Sequence, residues 1–230
     1  MLTRIASGLR HVPEAAVRTL RTHASEAFVQ RIRVDERIVA VPWWLEPRLL
    51  FYWRRFIHKR QWQPQSWDEV ADQCAKAARQ YCVFGIGIPG SGLPATRFFA
   101  EVLWSLGGSL YNAEGRLDLS TIKAEQALET ILKIARSGAC QPEVLTWSQE
   151  EIEEKFLDRK IAAIVARASL EKEIRQVDEK GYGVAALPGN PRFVSVAMDC
   201  LVSFDHCEQP AAAAEFLTFA VSRQAQACVV

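Results

Sequence analysis

The chain has 230 residues, of which 49% are hydrophobic and 24% charged, and its 28 basic and 27 acidic side chains leave a formal net charge of +1. This composition is ordinary for a soluble globular protein and excludes a disordered chain, while the near-zero net charge gives no general attraction to nucleic acid. No apolar run reaches the roughly 18 residues that would span a bilayer.

Apolar periodicity predicts helices and strands that alternate along the chain. The near-continuous apolar and aromatic run at 49–53 predicts a strand buried on both faces. Further strands are predicted at 32–41, 81–88, 161–166, 182–187 and 193–204. Helices are predicted at 13–30, after the capping box Ser66-x-x-Glu69, after Pro94, from Ser120, from Thr146 or Ser148, at 169–176 and after Pro210. This alternation favours α/β layering.

Basic and aromatic side chains are interleaved between Arg48 and Trp62. Such a pattern can bind single-stranded nucleic acid through phosphate contacts and stacking. A solvated basic face whose aromatic side chains pack inward explains the same pattern, and we therefore predict no nucleic-acid partner.

Three glycines, Gly85, Gly87 and Gly90, fit the dinucleotide-binding spacing G-x-G-x-x-G. In that fingerprint the third glycine packs the helix against the strand. Here Pro89 precedes Gly90 and Pro94 follows it, which predicts that the helix begins only after Pro94 and leaves Gly90 in a loop. A nucleotide-dependent oxidoreductase is therefore kept only as a remote alternative, and no cofactor is predicted.

Patterns that mark catalytic or metal sites are missing from the sequence. The four histidines form neither H-x-x-x-H nor H-E-x-x-H, the six cysteines contain no C-x-x-C pair, and no G-x-S-x-G occurs. We predict that the chain is not an enzyme and has no catalytic residues and no metal site.

Several segments, in their order and spacing, carry a family resemblance. They include "RIVAVPWWLEPRLLFYW" (37–53), "FGIGIPGSGLPATRFFAEVLWSLGGSLYNAEGRLDL" (84–119), "EEKFLDRKIAAIVA" (153–166) and "YGVAALPG" (182–189). Together they resemble the extracellular solute-binding proteins of ABC importers, in the sugar-binding, maltose-binding-protein-like branch, over roughly residues 28 to 226.

The resemblance implies a periplasmic-binding-protein-like α/β fold with two lobes joined by hinge strands. The chain would contain mainly the second lobe, at 42–196, with a first-lobe remnant and hinge entry at 1–41, and a hinge return leading into first-lobe closing helices at 197–230. We expect it to be truncated at both ends. As written it has no signal peptide, which predicts a cytoplasmic location, whereas the family is expected to be periplasmic or extracellular.

Carried over position by position, the resemblance implies a ligand cleft with several walls. The implied ligand-binding residues are Trp43, Trp44, Glu46, Gly92, Thr96, Arg97, Arg167 and Asp199. Four of them have a stated alternative: one of the two tryptophans would pack inward, Glu46 could pair with Arg48, and Arg97 could be solvated. Arg167-Ala168-Ser169 stands where the family has a glycine-proline-tryptophan-like turn, so a stacking aromatic is missing.

The predicted function is binding of a solute, most simply a carbohydrate, without catalysis. The implied partners are a sugar, an ABC permease, or a protein that supplies the missing lobe. The alternative is a binding-protein lobe that acts as a protein-interaction or oligomerising module, with its exposed former cleft as the contact patch.

Overall fold

A computed structural model of the chain describes residues 8–189 and 193–229. It forms two compact units: unit 1 is Met1–Glu46 with Ala197–Val230, and unit 2 is Pro47–Val196. Two predicted features lie partly outside the described residues. They are the start of the chain, where a signal peptide would begin, and the turn that ends the strand predicted at 182–187. The assignment of 42–196 to the second lobe of a two-lobed protein stays a prediction.

Unit 1 packs helices and short strands around an apolar core that includes Val17, Leu20, Ile32 and Leu217. Its elements are α1 (Glu14–His23), α2 (Glu26–Arg31), β1 (Arg33–Val34), β2 (Arg37–Ile38), the first part of β3 (Val41–Trp53), most of β7 (Ser195–Leu201), α8 (Pro210–Ala220) and α9 (Arg223–Val229).

The single helix predicted at 13–30 is wrong, because two helices occupy that segment. Ala24 and Ser25 between them have extended backbone, with ψ of 145° and 140°. The turn predicted at Asp35-Glu36 joins β1 to β2, and both residues have positive φ (46° and 66°), as a tight two-residue hairpin requires.

Unit 2 is a mixed sheet covered by helices, in agreement with the predicted α/β class. The strand order is β4 (Phe84–Gly87), β5 (Ile161–Arg167), β3 and β6 (Tyr182–Ala185), and β7 also pairs with β3. β4 and β5 are parallel, whereas β3 runs antiparallel to β5 and β6. The helices are α3 (Trp67–Tyr81), α4 (Gly92–Ser105), α5 (Ile122–Arg136), α6 (Gln149–Leu157) and α7 (Glu171–Val177). The segment from Leu50 to Trp53 is completely buried, which confirms the prediction for that strand.

Helix starts agree only partly with the predicted caps. Ser148 forms a complete capping box with Glu151 at the start of α6. The cap of α5 is Thr121, whose hydroxyl accepts from the Ala124 N–H at 3.1 Å, and not Ser120. α4 begins at Gly92 and not after Pro94, because a proline in the first turn of a helix has no N–H to lose.

The three motif glycines lie where other parts of unit 2 approach the backbone closely. A Cβ added to Gly85 would lie 2.1 Å from the Cys74 carbonyl oxygen, and one added to Gly90 would lie 2.2 Å from the Val144 carbonyl oxygen. A Cβ on Gly87 would meet the Ile152 side chain at 2.5 Å. Close packing therefore accounts for all three glycines. In the described part of the chain, no helix has the length and apolar character to cross a membrane.

Candidate ligand-binding site

The eight residues implied as ligand-binding divide equally between the two units. Unit 1 contains Trp43, Trp44, Glu46 and Asp199, and unit 2 contains Gly92, Thr96, Arg97 and Arg167. Each set is described within its own unit, and its role in ligand binding stays a prediction.

In unit 1, the alternation of β3 turns the two adjacent tryptophans to opposite faces. Trp43 packs against the apolar core. Trp44 and Glu46 share the other face, and the indole Nε1–H of Trp44 donates to Glu46 Oε2 at 3.1 Å. Both are half-buried, so a partly exposed aromatic ring and a carboxylate lie side by side.

Trp43 and Leu45 also line a cavity of about 280 Å³ within unit 1. Its other walls include His23, Phe28 and Gln226. This volume is just below the usual range for small-molecule sites. Asp199 is exposed on β7, whereas its neighbours Met198 and Cys200 pack toward the core.

In unit 2, three of the implied residues lie in the first turns of α4. Gly92 and Thr96 are exposed, and the Thr96 hydroxyl donates to the Gly92 carbonyl at 3.2 Å. Arg97 is half-buried on the next position of the helix. This end of α4 therefore presents polar groups at the surface of unit 2.

α4 also contributes Glu101 to a set of buried polar side chains that we call the Arg48 cluster: Arg48, Glu101, Gln149 and Glu153. Arg48 Nε donates to Glu101 Oε1 at 2.9 Å, and Arg48 Nη2 donates to the Val165 carbonyl at 3.2 Å. Gln149 Nε2 donates to Glu153 Oε1 at 2.9 Å and to the same Val165 carbonyl at 3.4 Å. The Arg48 cluster thus joins β3, β5, α4 and α6.

The Arg48 cluster also reaches the exposed residue Arg167 at the end of β5. The β3–β5 register places Arg167 directly opposite Arg48. Arg167 Nη2 lies 3.5 Å from Glu153 Oε2 and 3.7 Å from Glu173 Oε1. Two of the implied residues of unit 2, Arg97 and Arg167, therefore flank one buried set of charges.

Burial governs the electrostatics of the two carboxylates in the Arg48 cluster. Burial raises the pKa of Glu101 above its ordinary value, although the charge and hydrogen bond of Arg48 act in the opposite direction. Burial likewise raises the pKa of Glu153, against the hydrogen bond from Gln149 and the charge of Arg167. Among the described residues, Gln149 Oε1 has no hydrogen-bond partner.

Sequence reasoning missed Glu101, Gln149 and Glu153. Glu101 could have been noticed, because it lies among apolar residues of α4 that include Ala100, Val102 and Leu103. A charge on the buried face of a helix needs a partner. The partner, Arg48, is 53 positions away, and no local pattern connects the two.

The raised pKa of Glu153 predicts a specific pH dependence of stability. Glu153 binds its proton more tightly in the folded protein than in the unfolded chain, so protonation of Glu153 stabilises the fold. This contribution is fully present below the unfolded-state pKa of about 4.3 and is lost as the pH rises through the folded-state pKa. Glu153→Gln keeps an acceptor for Gln149 but does not titrate. The free energy of unfolding of the wild type minus that of Glu153→Gln should therefore fall as the pH rises above about 4. Urea unfolding at several pH values measures it, and a difference that is constant or rises with pH would contradict the prediction.

The fold of the chain can be compared with the folds of solved proteins. It matches the maltose-bound MalE3 of T. maritima with a TM-score of 0.82 and 23% identity, over 97% of this chain and 60% of that chain. It matches the GacH receptor of Streptomyces glaucescens with a TM-score of 0.83 and 17% identity, over 99% of this chain and 60% of that chain. These likenesses show a periplasmic-binding-protein-like α/β fold, which confirms the predicted fold class.

The family follows from the sequence itself. The bacterial extracellular solute-binding protein family matches residues 7–229, and the chain belongs to that family. A protein of Brucella abortus whose name describes it as a binding protein is 25% identical over 170 residues, which are 72% of this chain and 41% of that protein. A protein of Deinococcus radiodurans named as a probable ABC transporter-binding protein is 26% identical over 181 residues, 72% of this chain and 42% of that protein. The matches thus span less than half the length of these relatives, and the predicted family resemblance is confirmed.

Proposed function

We propose that this chain provides binding surface for a carbohydrate in the solute-binding component of an ABC importer. The family is one of non-catalytic extracellular solute-binding proteins, which supports binding without catalysis. The Deinococcus relative is named for an ABC transporter, and solved proteins of the same fold were obtained with maltose or α-D-tagatose bound.

The observation that carries the proposal is the Trp44–Glu46 pair of unit 1. A sugar ring has apolar faces, which an aromatic ring can cover, and hydroxyl groups, which a carboxylate can accept from. The hydrogen bond from Trp44 to Glu46 fixes the indole beside the carboxylate, so an aromatic face and acceptor oxygens lie next to each other.

The partners in this proposal follow from the same family. We propose that the protein acts outside the cytoplasm and delivers its solute to an importer permease, in contrast to the cytoplasmic location expected from the first residues. A protein-interaction or oligomerising role stays an alternative prediction.

Calorimetry and thermal unfolding with a panel of mono- and oligosaccharides test the proposal. We expect at least one carbohydrate to bind and raise the Tm, and Trp44→Ala to weaken its affinity by about tenfold or more, since an aromatic anchor contributes at least about 1.4 kcal/mol. Trp104→Ala is the matched control. Trp104 is also a partly exposed tryptophan, but it lies in the last turn of α4 in unit 2, so its replacement should leave the affinity unchanged. Failure of the whole panel to bind at millimolar concentration would overturn the proposal.

A further inference from the structure

Two of the implied ligand-binding positions in unit 2 are occupied by arginine, Arg97 on α4 and Arg167 at the end of β5. A neutral sugar requires no permanent positive charge from its binding site. The turn that follows Arg167 contains Ala168 and Ser169, where the family resemblance leads one to expect a stacking tryptophan. Two permanent positive charges therefore occupy implied ligand-binding positions of unit 2, and the turn after Arg167 brings no aromatic side chain at 168 or 169.

The fold brings these two arginines to the same corner of unit 2. Arg167 lies opposite Arg48 in the β3–β5 register, and Arg48 bonds to Glu101 on α4. Arg97 lies one helical turn before Glu101, so the two side chains project from the same face of α4, and the charge of Arg97 acts on Glu101.

Each carboxylate of the Arg48 cluster accepts its hydrogen bond from a donor other than the two arginines. Glu101 is engaged by Arg48 at 2.9 Å, and Glu153 by Gln149 at 2.9 Å. The carboxylate oxygens nearest to the Arg167 guanidinium lie at 3.5 and 3.7 Å, longer than a normal charge-assisted hydrogen bond. Within residues 8–189 and 193–229, neither the Arg97 nor the Arg167 guanidinium donates a hydrogen bond, so both forks are available to a ligand.

We propose that unit 2 binds an anionic carbohydrate and that Arg97 and Arg167 bind its acidic group. This inference rests on the proposed carbohydrate-binding function. The planar guanidinium fork matches the two oxygens of a carboxylate or of a phosphate, and arginine stays charged at every physiological pH.

The experiment compares ligands that differ only in the acidic group: glucose, glucuronate and glucose 6-phosphate, with inorganic phosphate as a fourth ligand. Calorimetry at low salt should show at least one acidic sugar binding about tenfold or more tighter than glucose, because hydrogen bonds between charged partners are stronger than those between neutral groups. Glucuronate and the phosphate ester distinguish a carboxylate from a phosphate as the recognised group. Added salt should reduce the advantage of the acidic sugar.

Variants locate the effect on the two arginines. Arg97→Gln and Arg167→Gln should each remove most of the advantage of the acidic sugar, and lysine at either position should restore part of it. Arg116→Gln is the matched control, because Arg116 is exposed in the hairpin that follows α4 and should change nothing. Circular dichroism of each variant verifies that the fold is retained.

The outcomes separate this inference from the proposed function. Glucose binding as tightly as both acidic sugars would overturn the anionic solute and leave carbohydrate binding in place. Acidic sugars that bind equally well to the wild type and to both glutamine variants would overturn the role of the arginines. Inorganic phosphate that binds as tightly as the sugar phosphate, in an Arg97- and Arg167-dependent way, would support the anion site but count against carbohydrate recognition. Absence of binding by all four ligands would overturn the inference.

Discussion

Replacing Arg48 with leucine is expected to lower the free energy of unfolding by about 3–5 kcal/mol, because the substitution leaves the buried Glu101 carboxylate without its partner. The side chains of Arg48 and Glu101 are 4% and 0% exposed, and their bond is 2.9 Å long. Loss of Arg48 also removes a donor from the Val165 carbonyl. Urea unfolding at neutral pH measures the effect.

Two further variants show whether the loss comes from the unpaired charge. The double variant Arg48→Leu with Glu101→Leu should recover most of the stability, because it removes both buried charges. Lys133→Ala is the matched control: its ion pair with Asp68 has a similar 2.7 Å distance, but both side chains are about 60% exposed, so no measurable loss is expected. An Arg48→Leu protein as stable as the wild type would contradict the buried pair.

Replacing Gly85 with alanine is expected to cost about 3 kcal/mol or more, at the upper end of what overpacking costs. The new Cβ would lie 2.1 Å from the backbone carbonyl oxygen of Cys74, and a backbone atom in the core cannot move aside as the end of a flexible side chain can. A Cβ added to Gly90 would likewise meet a backbone atom, the Val144 carbonyl oxygen at 2.2 Å.

Gly107→Ala is the control for Gly85→Ala. Gly107 has a φ of 77° but nothing within 4 Å of an added Cβ, so only the strain of left-handed backbone, about 1–2 kcal/mol, is expected. Urea unfolding of the wild type, Gly85→Ala and Gly107→Ala, measured without any nucleotide, tests whether packing alone requires glycine at position 85. If the urea midpoint of Gly85→Ala equals that of the wild type, packing does not require glycine there.

The parts of the fold that could be predicted are those with local causes. The apolar run at 49–53 had to be buried on both faces, and Ser148 followed three positions later by Glu151 had to begin a helix. The break between α1 and α2 could not be predicted, because Ala24 and Ser25 include neither proline nor glycine and the apolar spacing continues across them.

In the candidate site, too, contacts with a local cause could be predicted and contacts made only by the tertiary fold could not. Trp44 and Glu46 are two positions apart on one strand, so the period of two places them on one face, and their contact could have been predicted. The Arg48 cluster could not, because its members come from β3, α4 and α6, and only the tertiary fold brings Arg48 and Gln149 to the Val165 carbonyl of β5.

The most direct measurement of the central claim is the NMR signal of the Trp44 indole N–H during titration with carbohydrate. The chain has seven tryptophans, and Trp44→Phe assigns the signal. This resonance is expected to shift saturably with at least one mono- or oligosaccharide, Glu46→Gln is expected to weaken the response, and the Trp104 resonance is expected to stay in place. A Trp44 resonance that does not move at millimolar concentrations of every carbohydrate, in a folded protein, would contradict carbohydrate binding at this surface.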